Sequence, residues 1–265
     1  MPKAFLLIDI DFTIRIGYFT LSLILLSKNN IMSQTPTPYM SAEEAIAETQ
    51  RFMTKVYGWM SFALIITGLV SWYTASSPAL LNLIFSSTWS IIGLVIVQFM
   101  LVGALAGWVN RMSANIATIV FILYSSLNGL LFASIFIVYT TASIASTFFI
   151  TAGTFGVMSI YGYTTKADLT KMRSLLFMGL FGLIIASVVN MFMQSNVLYW
   201  ITTYAGVLIF VGLTAYDTQK IKNMNIIGNE GTEEDHKEAI LGALTLYLDF
   251  INLFLYLLRI FGKRK

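Results

Sequence analysis

Seven apolar segments of about twenty residues, separated by short polar connections, dominate this chain from residue 56 onward. A helix needs roughly 17–25 apolar residues to cross about 30 Å of hydrocarbon. The rest of the composition agrees, because only 11% of the 265 residues are charged, against about 25% in soluble domains. We therefore predict an all-α membrane protein with seven transmembrane helices. The predicted spans are residues 56–74, 87–109, 115–139, 142–163, 175–193, 198–221 and 239–261.

The chain lacks the residues that hold most cofactors. It has no cysteine and a single histidine, His236, whereas disulfides, iron–sulfur clusters and common zinc sites need several such ligands. We therefore expect no tightly bound cofactor. The net charge of +3 comes from basic residues at the ends of the spans, so it predicts membrane topology and gives no reason to expect a nucleic-acid partner.

The first 31 residues differ from the rest of the chain. Their apolar stretch contains Asp9, Asp11 and Arg15, and each charge at the centre of a bilayer costs roughly 2.5–3.5 kcal/mol. The stretch also has no clear signal-peptide cleavage site. We interpret residues 1–31 as a non-native or disordered extension that results from a start codon assigned too early, with Met32 or Met40 as the initiator.

Residues 32–55 form the predicted N-terminal segment before the transmembrane domain, which covers residues 56–265. Ser41 and Glu44 are spaced as in a capping box, which predicts the beginning of an amphipathic helix.

Positive charge alternates between successive connections. Connections between spans are basic on one side and uncharged on the other, and the positive-inside rule places the basic side, with the N-terminus, in the cytoplasm. The tail at residues 263–265 is basic as well, yet seven spans put it outside. Either the other connections set the orientation, which we favour, or the last segment does not cross fully. The basic residues at the cytoplasmic connections are Arg51, Lys55, Arg111, Lys166, Lys171, Arg173, Lys220, Lys222 and Lys237.

Two carboxylates lie inside the predicted spans, Asp217 in the sixth and Asp249 in the seventh. An acidic residue within a membrane is costly and must face protein, water or a countercharge, so it indicates function. The two spans are consecutive and antiparallel, which makes close placement plausible. Counting from the span ends puts Asp249 roughly 8–9 Å deeper than Asp217 at about 1.5 Å per residue.

A close pair of aspartates would act as a proton switch. Two carboxylates about 5 Å apart repel by about 3 kcal/mol at an effective dielectric near 20, so they would share one proton and titrate in two steps. When both are ionised, the pair of oxygen ligands suits a divalent cation such as calcium. Asp217 and Asp249 are therefore the predicted pH-sensing, ion-pathway and calcium-binding residues.

Two arginines flank this pair. Arg111, at the cytoplasmic end of the second span, is either a latch onto Asp217 that holds the pathway shut or an ordinary topological anchor. Arg259 lies near the outer end of the last span with no acidic partner evident in the sequence, so we expect it to extend to the interface.

The connection before the last span, Asn229 to Glu238, is rich in acidic residues. It lacks the spacing of an EF-hand calcium loop, so we favour a solvated acidic loop. The acidic residues of this segment are Glu230, Glu233, Glu234, Asp235 and Glu238.

Motifs of hydrolases, metalloproteases and phosphate-binding loops do not occur in the sequence. The pairing expected of aspartate proteases within membranes is also missing, so we do not expect an enzyme.

Several stretches resemble the Bax inhibitor one family, the transmembrane Bax-inhibitor-motif proteins, in its bacterial YbhL-like branch. The similarity runs from about residue 40 to residue 265, and its last two stretches are long and specific. The matching stretches are VYGWM (56–60), IFIVYT (135–140), YGYTTK (161–166), FVGLTAYDTQK (210–220) and LGALTLYLDFINLF (241–254).

The resemblance implies a seven-helix fold with the last helix central among the other six, and a pH-sensitive calcium leak. It implies that Asp217 and Asp249 are the sensing pair and that Arg111 is the closed-state latch. In some relatives an acidic residue of the second helix faces the position of Arg259. Here Gln98 and Met100 lie nearby, which puts that outer-end contact in doubt.

The resemblance also implies a rival function, a non-conducting regulator that binds other membrane proteins, including a membrane-anchored quality-control protease. We expect a calcium leak in the bacterial inner membrane, with the lipid bilayer and calcium ions as partners and the protease as the alternative partner.

Overall fold

The computed structural model of the protein describes residues 41–265, and the interpretation of residues 1–31 lies outside this range. Eight α-helices and two short 3₁₀ turns, Val109–Arg111 and Leu169–Met172, make up this part of the chain. The helices are α1 (Ala42–Ser76), α2 (Pro78–Phe85), α3 (Thr88–Trp108), α4 (Ala114–Val138), α5 (Thr141–Thr164), α6 (Arg173–Met193), α7 (Asn196–Met224) and α8 (Glu233–Phe261).

Side-chain caps set where the helices begin. The capping box predicted for Ser41 and Glu44 is confirmed, because each side chain bonds the other residue's backbone N–H. Each such bond satisfies an N–H that has no partner within its helix. Helix α6 instead follows directly from the second 3₁₀ turn, which Asp168 caps. The other capping residues are Ser77, Ser87, Ser113, Thr140, Ser195 and Thr232.

Seven helical segments are long and apolar enough to cross a membrane, which confirms the predicted fold class. The first is longer than expected, because the amphipathic segment continues into the first span as the 35-residue α1. The short helix α2 lies in the connection that follows.

Helix α8 is the centre of the bundle, as the resemblance implies. An apolar stretch of 18 residues in this helix is 94% buried inside the protein, whereas the corresponding stretches of the other six spans are 17–56% buried. It packs against α1 and α4 on one side and against α5 and α7 on the other. Helices α3 and α6 lie further out and pack mainly on α4 and α7. Two groups of three helices therefore enclose α8.

The basic C-terminal tail is folded against the connection between α4 and α5. The Thr140 N–H donates to the Lys263 carbonyl at 2.9 Å, and the Lys265 N–H donates to the Val138 carbonyl at 2.9 Å. Helix α8 is continuous from Glu233 to Phe261, so the last segment runs through the bundle. The tail therefore lies at the end opposite the α7–α8 connection. We call the end with that connection the basic end.

Gly162 allows α5 and α7 to approach closely. A Cβ atom at Gly162 would collide with the Ala215 carbonyl oxygen of α7, whereas one at Gly156, also in α5, would meet no atom within 4 Å. We expect Gly162→Ala to lower the free energy of unfolding by about 1–3 kcal/mol, since overpacking forces helices apart.

Thermal unfolding in mild detergent measures this effect. Gly156→Ala is the matched control, and it should be neutral or slightly stabilising because alanine favours a helix. Equal unfolding temperatures for the two variants would show that α5 and α7 do not depend on this contact.

Candidate functional site

Both aspartates lie on the interface between α7 and α8. On α7, Phe210 stacks on Tyr256 of α8 with ring centroids 5.7 Å apart, and a Cβ at Gly242 of α8 would lie 2.9 Å from Cγ2 of Ile221 of α7. Asp217 lies one helical turn from Ile221. Asp249 lies seven residues from both Gly242 and Tyr256, which places it on the same face of α8. Both aspartates therefore lie on the faces by which α7 and α8 pack together, as their expected neighbouring placement requires.

The depth difference between the aspartates is smaller than counting from the span ends suggests. The first of the two contacts just described places Asp217 level with residue 249 of α8, and the second places it level with residue 246. Asp249 is therefore at most three residues further along, or no more than about 5 Å deeper. The contacts give the smaller value because they report the register of the two helices, whereas predicted span ends do not.

Asp249 is enclosed completely. Its side chain is 0% exposed, and neither carboxyl oxygen has a hydrogen-bond partner among residues 41–265. It also forms no ion pair within this range. A buried carboxyl group without a donor or countercharge is costly when ionised. This carboxyl group therefore has no stabilising contact in the conformation described.

Asp217 has different surroundings nearer the basic end. It is 5% exposed, and the cations within electrostatic reach of its carboxyl group are Lys220 and Arg173. No hydrogen bond joins Asp217 to Asp249 within the described chain. The direct sharing of one proton between them is therefore not seen in this conformation and stays a prediction.

Arg111 ends the 3₁₀ turn after α3, and this turn packs on α3 and on the start of α8. Its side chain is exposed, and it makes no ion pair within residues 41–265. Its latch contact with Asp217 stays a prediction, because this conformation does not contain it.

Arg259 is half-buried at the other end of α8. Its guanidinium group lies 5.3 Å from the ring centroids of both Tyr199 and Tyr256. Cation–π contacts with two tyrosines therefore surround this arginine, where sequence reasoning expected it to extend to the interface.

Sequence reasoning missed a polar cluster on the other side of α8. The hydroxyl groups of Tyr247 and Thr67 are 2.8 Å apart, and Thr67 also donates to the Ser125 carbonyl. Tyr247 is two residues from Asp249, so the two side chains leave α8 on nearly opposite faces. The cluster joins α1, α4 and α8. In so apolar a sequence, a tyrosine within a span is indistinguishable from an ordinary core residue, so the sequence contains little indication of this cluster.

The acidic connection before α8 is not a solvated loop, and that interpretation was wrong. Four of its five carboxylates bind protein groups in α1, in α4 or within the connection and the start of α8. Asp235, 3% exposed, accepts from Lys55 Nζ at 2.7 Å and from the Gly231 N–H. Glu233 accepts from the Ala114 N–H. The remaining two contacts are Glu230 with Arg51 and Glu238 with Asn229.

A further acidic side chain holds the connection from α1. Glu48 is 1% exposed, and both its carboxylate oxygens accept from the Gly228 N–H, at 2.9 and 3.0 Å. We call residues 225–238, with these contacts to α1 and α4, the acidic clamp. It fixes the start of α8 against both helices.

The carboxylates of Asp217 and Asp249 are oxygen ligands of the kind that a hard cation prefers. Within residues 41–265 no group of three or more His, Cys, Asp or Glu side chains is arranged to hold a metal ion. Calcium binding by Asp217 and Asp249 would therefore need backbone carbonyls or water as further ligands, and it stays a prediction.

A polytopic membrane protein with a carboxyl group on its enclosed central helix is the class that this fold and site define. The family model for the inhibitor of apoptosis-promoting Bax1 matches residues 49–265. The chain therefore belongs to the Bax inhibitor family.

Close relatives support this assignment. The chain is 55% identical over 220 residues to the inner membrane protein YbhL of Escherichia coli K12, with 83% of this chain and 94% of the relative covered. It is 48% identical over 223 residues to an uncharacterized protein of Borreliella burgdorferi, with 84% and 96% covered. An uncharacterized protein of Rickettsia prowazekii is 44% identical over 223 residues, with 82% and 91% covered.

The ion pair of Arg51 and Glu230 makes the acidic clamp sensitive to acid. The two side chains form a bidentate contact at 2.7 and 2.8 Å, and the hydrogen bonds from Arg51 lower the pKa of Glu230 from 4.5. A lowered pKa stabilises the folded protein above pH 4.5, and this contribution is lost as the pH falls through the lowered value. We expect Glu230→Gln to lower the unfolding temperature slightly at pH 7 and to have less effect at increasingly acidic pH.

Unfolding temperatures in detergent between pH 3 and pH 7 provide the measurement. Glu234→Gln is the control, because Glu234 is exposed and makes no ion pair or hydrogen bond within the described range. A loss from Glu230→Gln that stays constant with pH would contradict the role assigned to the ion pair.

Proposed function

We propose that the protein is a calcium leak of the bacterial inner membrane, with its N-terminus in the cytoplasm, and that protonation of Asp217 and Asp249 controls it. The observation that carries the proposal is Asp249, a carboxyl group at the middle of the central helix with no hydrogen bond and no ion pair within the described chain. A structural role alone would favour an apolar side chain there, since an unpaired buried carboxyl group destabilises a fold. The inner-membrane location follows the E. coli relative, and the orientation follows the basic connections.

Protonation suits the enclosed state of the site. A neutral Asp249 fits the dry interface, because ionisation would leave an uncompensated charge among apolar side chains. Ionisation therefore favours entry of water or of a cation next to the carboxylate. In this mechanism calcium is the transported substrate, and a rise in pH shifts the protein from the enclosed state towards one in which α7 and α8 separate.

Other ionisable groups near the pair set the balance between these states. Arg173, Lys220 and Tyr216 lie around Asp217. Tyr247 leaves α8 on the face away from Asp249, and it packs against Tyr124 of α4. Because the cations are grouped at Asp217, an ionised Asp217 is compensated more readily than an ionised Asp249. The deeper aspartate is therefore the stronger barrier to opening.

Calcium flux into liposomes containing the purified protein tests this mechanism. We expect wild-type flux to depend on pH, and Asp217→Asn and Asp249→Asn each to abolish or flatten that dependence, because asparagine cannot lose a proton. The Asp249 variant should have the larger effect. Glu234→Gln, on the exposed surface, is the matched control and should keep the wild-type profile.

The same preparation separates the rival function. A wild-type pH profile in both aspartate variants would exclude gating by these residues. Absence of flux from well-folded protein, together with specific capture of a membrane-anchored protease, would instead favour the non-conducting regulator.

A further inference from the structure

The connection between α5 and α6 is attached to α7 beside Asp217. The side-chain amide of Gln219 holds it at two points, because Oε1 accepts from the Leu169 N–H at 2.9 Å and Nε2 donates to the Ala167 carbonyl at 2.8 Å. Lys222 Nζ donates to the Tyr163 carbonyl at 2.8 Å and lies 4.7 Å from the centroid of the Tyr163 ring. The connection therefore has a defined position relative to the end of α7.

The end of α5 is held at the same level. Gly162 allows the α5 backbone to meet the Ala215 carbonyl, and the hydroxyl groups of Ser159 and Thr218 are 3.5 Å apart. Ala215 and Thr218 flank Asp217 on α7. These contacts therefore fix the end of α5, and with it the start of the connection, relative to the part of α7 that carries Asp217.

The attachment brings Arg173 to the end of α7 that carries Asp217, because the 3₁₀ turn just before Arg173 packs on α7. This arginine is the first residue of α6, and its charge acts on Tyr216, Asp217 and Lys220. Its guanidinium carbon lies 5.8 Å from the centroid of the Phe177 ring. Its Nε is buried and donates to no acceptor within residues 41–265. Arg173 and Asp217 form no direct ion pair within the described residues, so the interaction that we infer between them is one of charge across a gap.

Lys220 cannot have the same role. It lies on α7 three residues from Asp217, so the two side chains keep their spacing when α7 moves as a unit. Arg173 belongs to a different helix, and its distance from Asp217 changes whenever α6 or the connection shifts against α7. Its charge is also permanent, whereas lysine loses its proton more readily when buried.

We propose that Arg173 is the positioning residue for Asp217, holding the carboxylate with its permanent positive charge and thereby restricting access of a cation from the basic end. This inference rests on the proposed function, in which Asp217 lines the cation pathway. Sequence analysis treated Arg173 only as a topological charge, because its position relative to Asp217 depends on the attachment of the connection to α7.

A double-mutant cycle in thermal stability tests the interaction between Arg173 and Asp217 without reference to transport. Unfolding temperatures in mild detergent are compared for wild type, Arg173→Gln, Asp217→Asn and the double variant. We expect the effect of Arg173→Gln to change when Asp217 is replaced, because removal of one charge alters the environment of the other. Additive effects would overturn the inference.

Calcium flux in liposomes at pH 7 tests the consequence. We expect Arg173→Gln to raise the initial flux several-fold, Arg173→Lys to give a smaller increase because lysine keeps its charge only in part when buried, and Lys171→Gln, an exposed control two residues away, to leave it unchanged. The increase should disappear in the Asp217→Asn background. An unchanged flux in Arg173→Gln, or an increase that persists without Asp217, would overturn the inference.

The two assays separate the inference from the function on which it rests. If wild-type protein passes no calcium, the proposed function fails, while the stability cycle still decides whether Arg173 and Asp217 interact.

Discussion

The need to keep the Asp249 carboxyl group away from lipid is the constraint on which the rest of the fold depends. A carboxyl group near the middle of a transmembrane helix cannot face hydrocarbon without a large cost, so the helix that carries it must be surrounded by protein. Helix α8 meets this requirement with two groups of three helices around it. Close packing at Gly206 and Gly242 brings α7 and α1 against it, and the lipid-facing helices α3 and α6 complete the outer layer.

The two ends of the central helix are held, whereas the middle of its interface with α7 has few polar bonds. At the basic end the acidic clamp ties the start of α8 to α1 and α4 through Asp235, Glu233 and Glu48. At the other end the C-terminal tail pairs with the α4–α5 connection. Between these points the α7–α8 interface consists of apolar contacts, small residues and two aspartates. An arrangement with fixed ends confines any change driven by the aspartates to the relative position of α7 and its neighbours.

Particular residues show how far sequence reasoning reached. The spans and the membrane-embedded positions of Asp217 and Asp249 could be predicted, because hydrophobic length and buried charge are properties of a linear pattern. The central position of α8 came from resemblance, and its nearly continuous apolar surface is consistent with that position. The acidic connection was misjudged, since its acceptors and donors lie about 180 residues away on α1. Counting residues from predicted span ends also gave too large a depth difference, because it ignores how the helices are shifted against each other.

The sequence by itself determined that this is a seven-span membrane protein with two carboxylates inside its apolar segments, because each span is recognised from its own residues. Only the tertiary structure decided which cation faces which carboxylate. The turn before Arg173 packs on the helix that carries Asp217, Arg111 makes no ion pair within residues 41–265, and Arg259 lies between two tyrosines. Such pairings depend on the rotation and register of helices that are distant in the chain, and these are set by packing of the whole bundle.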